Sequence, residues 1–116
     1  MKKIPKVCVV IVNWNLRDYL EKCLKSLRNT NYANFEVIVV DNGSQDGSVE
    51  MIRKKFPEVH LIINEQNLGY VKGNNQGIKF ALEKFNPDYI VLANSDIEFI
   101  QKKLVERPGS NSRKKS

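Results

Sequence analysis

The sequence predicts an α/β fold in which a sheet of four parallel strands carries helices on its faces. Two observations lead there. Apolar, β-branched runs recur along the chain, each followed by a polar turn and then an amphipathic stretch. The connections are short, and strand–helix alternation over short loops favours parallel pairing with the helices packed on the sheet.

The first run, Val7–Val12, is continuously apolar, as a strand buried on both faces requires. Asn15 then offers a helix cap, and Leu16, Tyr19, Leu20, Cys23, Leu24 and Leu27 follow at helical spacing to make one apolar stripe. Residues 29–34 are a turn cluster. Phe35–Val40 is the second strand. Asn42, Gly43, Ser44, Asp46 and Gly47 form a dense loop in which Ser44 or Asp46 is free to cap the next helix. That helix directs Val49, Ile52 and Phe56 inward and stops at Pro57. Val59–Ile63 is a third, short strand. A third helix follows, with Val71, Ile78, Ala81, Leu82 and Phe85 on one side. Asn86, Pro87 and Asp88 make a turn into the fourth strand, Tyr89–Ala93. Beyond Phe99 the character changes. Residues 100–105 have room for one or two helical turns, and 108–116 have the polar, aperiodic composition of a disordered tail. The expected organisation is one domain over 1–99, then a short helix and basic tail over 100–116.

A chain of 116 residues is one domain at most, with a thin core. Its 41% hydrophobic and 28% charged residues are ordinary for a globular protein. Much of the net charge of +6 lies at the ends, in Lys2, Lys3 and Lys6 and in Lys102, Lys103, Arg107, Arg113, Lys114 and Lys115. Solvated tails are the simplest account, with attraction to anionic lipid headgroups the sharper one. Nucleic acid is not expected, because nothing aromatic interleaves with the terminal lysines. Cys8 and Cys23 read as small buried hydrophobes, which suits a reducing compartment. No signal peptide is expected at the interrupted N-terminal apolar run, and no stretch is long enough to span a bilayer.

In an open parallel sheet, ligands bind outside the carboxyl ends of the strands. Every expected strand delivers Asn or Asp there: Asn13-Trp14-Asn15, Asp41-Asn42, Asn64 with Asn67 and Gly69 soon after, and Asn94-Ser95-Asp96. Turn preference accounts for Asn42 and Gly43. It does not account for a carboxylate after each of two buried runs. Neither a G-x-G-x-x-G fingerprint nor a lysine-bearing phosphate loop is present, so a phosphate ligand calls for another strategy. Mg²⁺ or Mn²⁺ can be held by one or two carboxylates while substrate phosphates complete the shell, and Asp96 is the candidate metal ligand. Asp41 suits a neutral donor group such as a ribose hydroxyl or a base N–H. Trp14 either offers a flat face to a base or is a partly buried loop aromatic.

These segments resemble glycosyltransferase family 2. Residues 10–15, 39–47, 67–75 and 92–96 fall in the order and spacing of that family, with the flavour of its rhamnosyltransferase-like members. The resemblance covers residues 6 to about 99. It implies a GT-A, Rossmann-like nucleotide-binding sandwich, a nucleoside-diphosphate sugar donor (UDP-, dTDP- or GDP-linked), a divalent cation, and inversion at the anomeric carbon. It further implies roles for individual residues. Asp41 contacts the base or ribose, and Asn13, Trp14 and Asn15 lie under the base. Asn67, Gly69, Gly73 and Asn75 close over the nucleoside. Asn94, Ser95 and Asp96 stand at the D-x-D region, with Asn94 in place of the first acid and Asp96 on the metal.

Family members continue well past the point matching Asp96, into the acceptor site and the general base. The sequence therefore reads as the truncated donor-binding portion of a transferase that serves cell-surface polysaccharide synthesis. Its acceptor would be a glycan or a lipid-linked sugar. The alternative is a catalytically incomplete nucleotide-sugar-binding module, or a fragment completed by a partner. No residue is assigned as the base; Glu98 and Glu106 are poorly placed for it. A receiver-like phosphoacceptor domain fits badly, because asparagines follow the first strand. The expected setting is cytoplasmic, with contact to a membrane surface or a homodimer compatible with the basic tails and an uncovered sheet.

Overall fold

The computed structural model describes residues 4–95. Its elements are β1 (Val7–Asn13), α1 (Arg17–Arg28), β2 (Phe35–Asn42), α2 (Ser48–Lys55), β3 (His60–Asn64), α3 (Tyr70–Lys84) and β4 (Tyr89–Asn94). The four strands make one parallel sheet in the order β3-β2-β1-β4. Asp96, Glu98 and the whole of 100–116, where a short helix and tail were expected, lie outside the described residues, as do Lys2 and Lys3.

Alternation along β1 and β2 divides the core in two. Val7, Val9, Ile11 and Val39 pack with Leu20, Cys23, Leu24 and Leu27 of α1 and with Met51, Ile52 and Phe56 around α2. Cys8, Val10 and Ile38 pack on the other face with Ala81 of α3. Burial pushes the Cys8 thiol up to about 11, which leaves it protonated and unreactive at neutral pH. At the amino end of the sheet Glu36 bonds Lys6 Nζ and His60 Nε2, each at 2.9 Å. Burial alone would raise the Glu36 carboxyl, but those two bonds hold it below its ordinary value.

Both helix N-termini on the first face depend on one side chain. Asp46 Oδ2 accepts from the Arg17 N–H at the start of α1, and Asp46 Oδ1 accepts from the Ser48 N–H and hydroxyl at the start of α2. Burial alone would raise this carboxyl. The bonds from Ser48 and the Arg17 N–H outweigh it and hold Asp46 below the ordinary 3.8. Asn15 is therefore not the cap of α1. It takes a left-handed backbone (φ 52°) and its Oδ1 accepts from the Gln45 N–H instead. Ser44 is likewise drawn away from α2, towards Asp41.

The third helix keeps Ala81 and Phe85 of its expected face in the core but leaves other members of that stripe outside. Its buried residues are Gly73, Asn74, Gly77 and Ala81, while Val71 and Leu82 of the predicted stripe are 69% and 50% exposed. The reason is steric. A Cβ on Gly73 would stand 2.9 Å from Val12 Cγ1, and one on Gly77 would overlap Val10 Cγ1. Glycine lets the helix backbone rest directly on β1, and that close seat leaves Val71 and Leu82 outside the contact. Leu92 on β4 is also half exposed.

Two outcomes test these packing arguments. Gly77→Ala should cost about 1–3 kcal/mol by overpacking, more than the ~1 kcal/mol that alanine gains by helix propensity. In a Val10→Ala background the same change should stabilise, a reversal read by urea unfolding. Asp46→Ala should cost about 1–3 kcal/mol at pH 7, since it removes capping at two helices. Because the folded pKa of Asp46 is depressed, its contribution is complete above 3.8 and is lost as pH falls through the folded value. The stability gap between parent and Asp46→Ala should therefore close in acid.

Candidate functional site

The strand order reverses at β1, since the chain runs outward through β2 and β3 and then returns to place β4 on the far side. A crevice of about 290 Å³ opens above this point, lined by Val12, Trp14, Leu16, Asn42, Asn67, Tyr70, Asn94 and Ser95. Switch points of this kind leave room for a ligand because the connections on either side lead to opposite faces. Among the described residues, all eight lining side chains are uncharged.

Strand register decides which motif residues reach it. β1 runs to Asn13 and β2 to Asn42, so residues expected in loops are held in the ladder. Asn13 pairs with Asp41, and Val12 with both Val40 and Asn94. Val12, Asn42 and Asn94 therefore share the α3 face and line the crevice. Asn13 and Asp41 point to the opposite face. There Asp41 is fully buried. Its Oδ1 accepts from Asn13 Nδ2 (3.0 Å) and the Ser44 hydroxyl (2.7 Å), and its Oδ2 from the Ser44 N–H (2.9 Å). The Ser44 hydroxyl oxygen in turn accepts from the Asn15 N–H. The four residues knit the β1–α1 and β2–α2 loops together.

A second network builds the other wall. Asn42 Nδ2 donates to Asn67 Oδ1 (3.2 Å) and to the Gly69 carbonyl (3.1 Å), while Asn42 Oδ1 accepts from Asn64 Nδ2 (2.8 Å). Asn64 and Gln76 exchange two bonds, which ties β3 to α3. Asn67 Oδ1 also accepts from the Gly69 N–H, and Gly69 sits at φ 92°, a conformation that favours glycine. This bend delivers Tyr70 to the crevice mouth, half exposed opposite the strand ends, as Trp14 is.

Of the residues picked out from sequence, Trp14, Asn67 and Asn94 line the crevice. Asn13 and Asp41 are buried beside it and Asn15 braces the neighbouring loop. Gly69 shapes the wall, Gly73 is on the buried face of α3, and Asn75 is on the exposed side of that helix. Asp96, the candidate metal ligand, follows Ser95 directly and lies outside the described residues. Tyr70 and Leu16 were not anticipated as lining residues. Neither carries a sequence signal for it, because Tyr70 depends on the Gly69 bend and Leu16 on the left-handed turn at Asn15. Ser95 stood in a quoted motif without a role.

Residues 8–107 match the family model described as glycosyl transferase family 2. Glycosyltransferase GlyA of Streptococcus pneumoniae is 34% identical over 111 residues, which is 87% of this chain and 15% of that protein. Among solved structures, a mannosyltransferase from Pyrobaculum calidifontis in complex with GDP-Man and Mn²⁺ superposes with a TM-score of 0.73 at 22% identity, over 90% of this chain and 31% of that one. S. aureus TarS 1–349 in complex with UDP-GlcNAc superposes with a TM-score of 0.65 at 26% identity, over 78% of this chain and 26% of that one. The chain spans between 15% and 41% of the length of the first curated relatives it matches.

The Asn42 network should be stability-bearing. Asn42→Ala leaves Asn64, Asn67 and the Gly69 carbonyl each short of a partner, and should cost about 1–3 kcal/mol. Amide hydrogen exchange should speed up at Gly69 while β1 stays protected.

Proposed function

The chain belongs to glycosyl transferase family 2, and from that premise we propose that its crevice binds the nucleoside of a nucleoside-diphosphate sugar, for transfer of the sugar to an acceptor hydroxyl. The GT-A, Rossmann-like sheet supplies the frame. Because the chain covers only part of its relatives' length, the residues described here are assigned the donor end of the reaction.

One observation carries the reading: among the described residues, the crevice at the switch point is lined by two half-exposed aromatic rings and by neutral amide and hydroxyl groups, with no lysine or arginine. Such a lining suits a base and a ribose. It gives a diphosphate nothing to neutralise its charge, so that task falls to a cation beyond Ser95. Among the described residues no three acidic, histidine or cysteine side chains cluster to form a metal cage. Mg²⁺ and Mn²⁺ do not need one, since one or two oxygen ligands suffice when phosphates and water fill the rest of the shell. Asp96 is the proposed carboxylate ligand, with Asn94 beside it in place of a second acid. When bound, the cation supplies charge neutralisation on the departing diphosphate.

The proposed step is an inverting displacement. The acceptor oxygen forms a bond to the anomeric carbon, the bond from that carbon to the diphosphate oxygen breaks, and the acceptor proton passes to a general base outside the assigned residues. Trp14 and Tyr70 flank the base. Asp41 reaches the nucleoside only if Asn13 and Ser44 release its carboxylate, so its first contribution is to hold the two loops in place.

The test is calorimetric titration of the chain with UDP, dTDP and GDP, each with and without Mn²⁺. Metal-dependent binding of one of them is expected. Trp14→Ala should weaken it by about 1–3 kcal/mol, the worth of a base–aromatic stack. Asp96→Ala should abolish the metal dependence. Binding that ignores Mn²⁺ in the parent would remove Asp96 from the site, and binding of none of the three would overturn the reading.

A further inference from the structure

β3 is an edge of the sheet, so among the described residues the main-chain groups of alternate positions along it face away from β2 with no strand to receive them. Open edges are ordinarily guarded by lysine, proline or a bulge. The strand His60-Leu61-Ile62-Ile63-Asn64 carries neither residue. Beside it, on the face covered by α2, runs a groove of about 310 Å³ between Ile52, Arg53 and Phe56 on one side and Val59, Leu61 and Ile63 on the other. Val59 and Leu61 pack on the core beneath, whereas Ile63 stands outside it and is 47% exposed.

The two ends of this edge differ in charge. Arg53 is in the last turn of α2, close to where β3 begins, and Glu65 follows the last residue of β3. Both are exposed, and neither has an ion-pair partner among the described residues. A strand that fits here brings an acid to the Arg53 end, a base to the Glu65 end and an apolar side chain to the groove between them. A second copy of β3, running antiparallel, brings all three. With the pairing centred on Ile62, Ile63 of each copy stands opposite Leu61 of the other, at the groove, because alternate residues share a face. Glu65 of each copy then reaches the Arg53 end of the other. A parallel copy would instead bring the two Arg53 ends together.

We propose that the β3 edge is a homodimer interface, in which two chains pair β3 antiparallel about a two-fold axis, seat Ile63 in each other's groove and match Arg53 with Glu65 twice. The two-fold axis repeats both contacts, so the association closes at two copies. An edge of five residues buries little area, which makes the dimer a weak, concentration-dependent one. The groove is on the α2 face and the crevice on the α3 face, so the pairing does not depend on the donor-site reading.

Sedimentation equilibrium over a concentration series reaching the millimolar range tests it. A reversible monomer–dimer equilibrium is expected for the parent. Ile63→Lys should remain monomeric and, because Ile63 is half exposed, should unfold at the parent's temperature. Arg53→Glu and Glu65→Arg should each weaken the dimer about tenfold or more, since like charges then meet twice. The double variant Arg53→Glu/Glu65→Arg should recover the parent's affinity, a readout that stands even where Ile63→Lys disturbs the fold. A parent that stays monomeric throughout would overturn the proposal and leave the groove to an extended segment of another protein. A dimer untouched by Ile63→Lys would move the contact to another surface, the β4 edge included, and overturn it as well. A double variant no tighter than the single ones would overturn the antiparallel pairing.

Discussion

Val10 and Val12 leave no room for a side chain where α3 crosses them, and the consequences run through the whole carboxyl end of the sheet. With glycine at 73 and 77 the helix backbone rests on β1 itself. That seat fixes the height of the first turn of α3 above the strand ends, and with it the position of Gly69 and Tyr70. The Asn42, Asn64, Asn67 and Gln76 bonds then lock the loop to β2 and β3. Moving α3 outward by the width of a methyl group would misplace one wall of the crevice. Glycine costs helix stability relative to alanine, and here close packing offsets that cost.

The second organising constraint is the two-residue period of the strand. Adjacent residues Asp41 and Asn42 point to opposite faces, so a single step along β2 separates a buried carboxylate from a crevice-lining amide. The carboxylate side is closed, with Asp41 held by Asn13 and Ser44 and, further out, Asp46 capping both α1 and α2. The crevice side is open and neutral. A charged group is thus held rigid behind the crevice, while polar neutral groups line it.

Much of this was legible in the sequence. Alternating apolar runs and amphipathic stretches were enough for four strands, three helices and a parallel sheet, because burial on both faces demands continuous apolar runs and short connections demand crossovers. Polar residues at every strand end marked the functional edge. The misreadings share one cause. The stripe of Val71, Ile78, Ala81, Leu82 and Phe85 has helical period, and only Ala81 and Phe85 of it reach the core, because periodicity gives a helix an apolar side without saying which part of it the sheet receives. Glycines carry no hydrophobic signal, yet they formed the contact face. Asn15 has the composition of a cap, but its left-handed backbone sends its amide to Gln45, and Asp46, from a loop distant in sequence, takes the cap's place.

By itself, then, the sequence determined the fold class and the direction of the strands, since each follows from local pattern and from the fixed handedness of the connections, and it pointed to the carboxyl edge of the sheet where the crevice opens. Tertiary structure alone decided which of the edge residues line the crevice. That depends on strand register, on how closely α3 can approach β1, and on which hydroxyls and amides are already spent on one another.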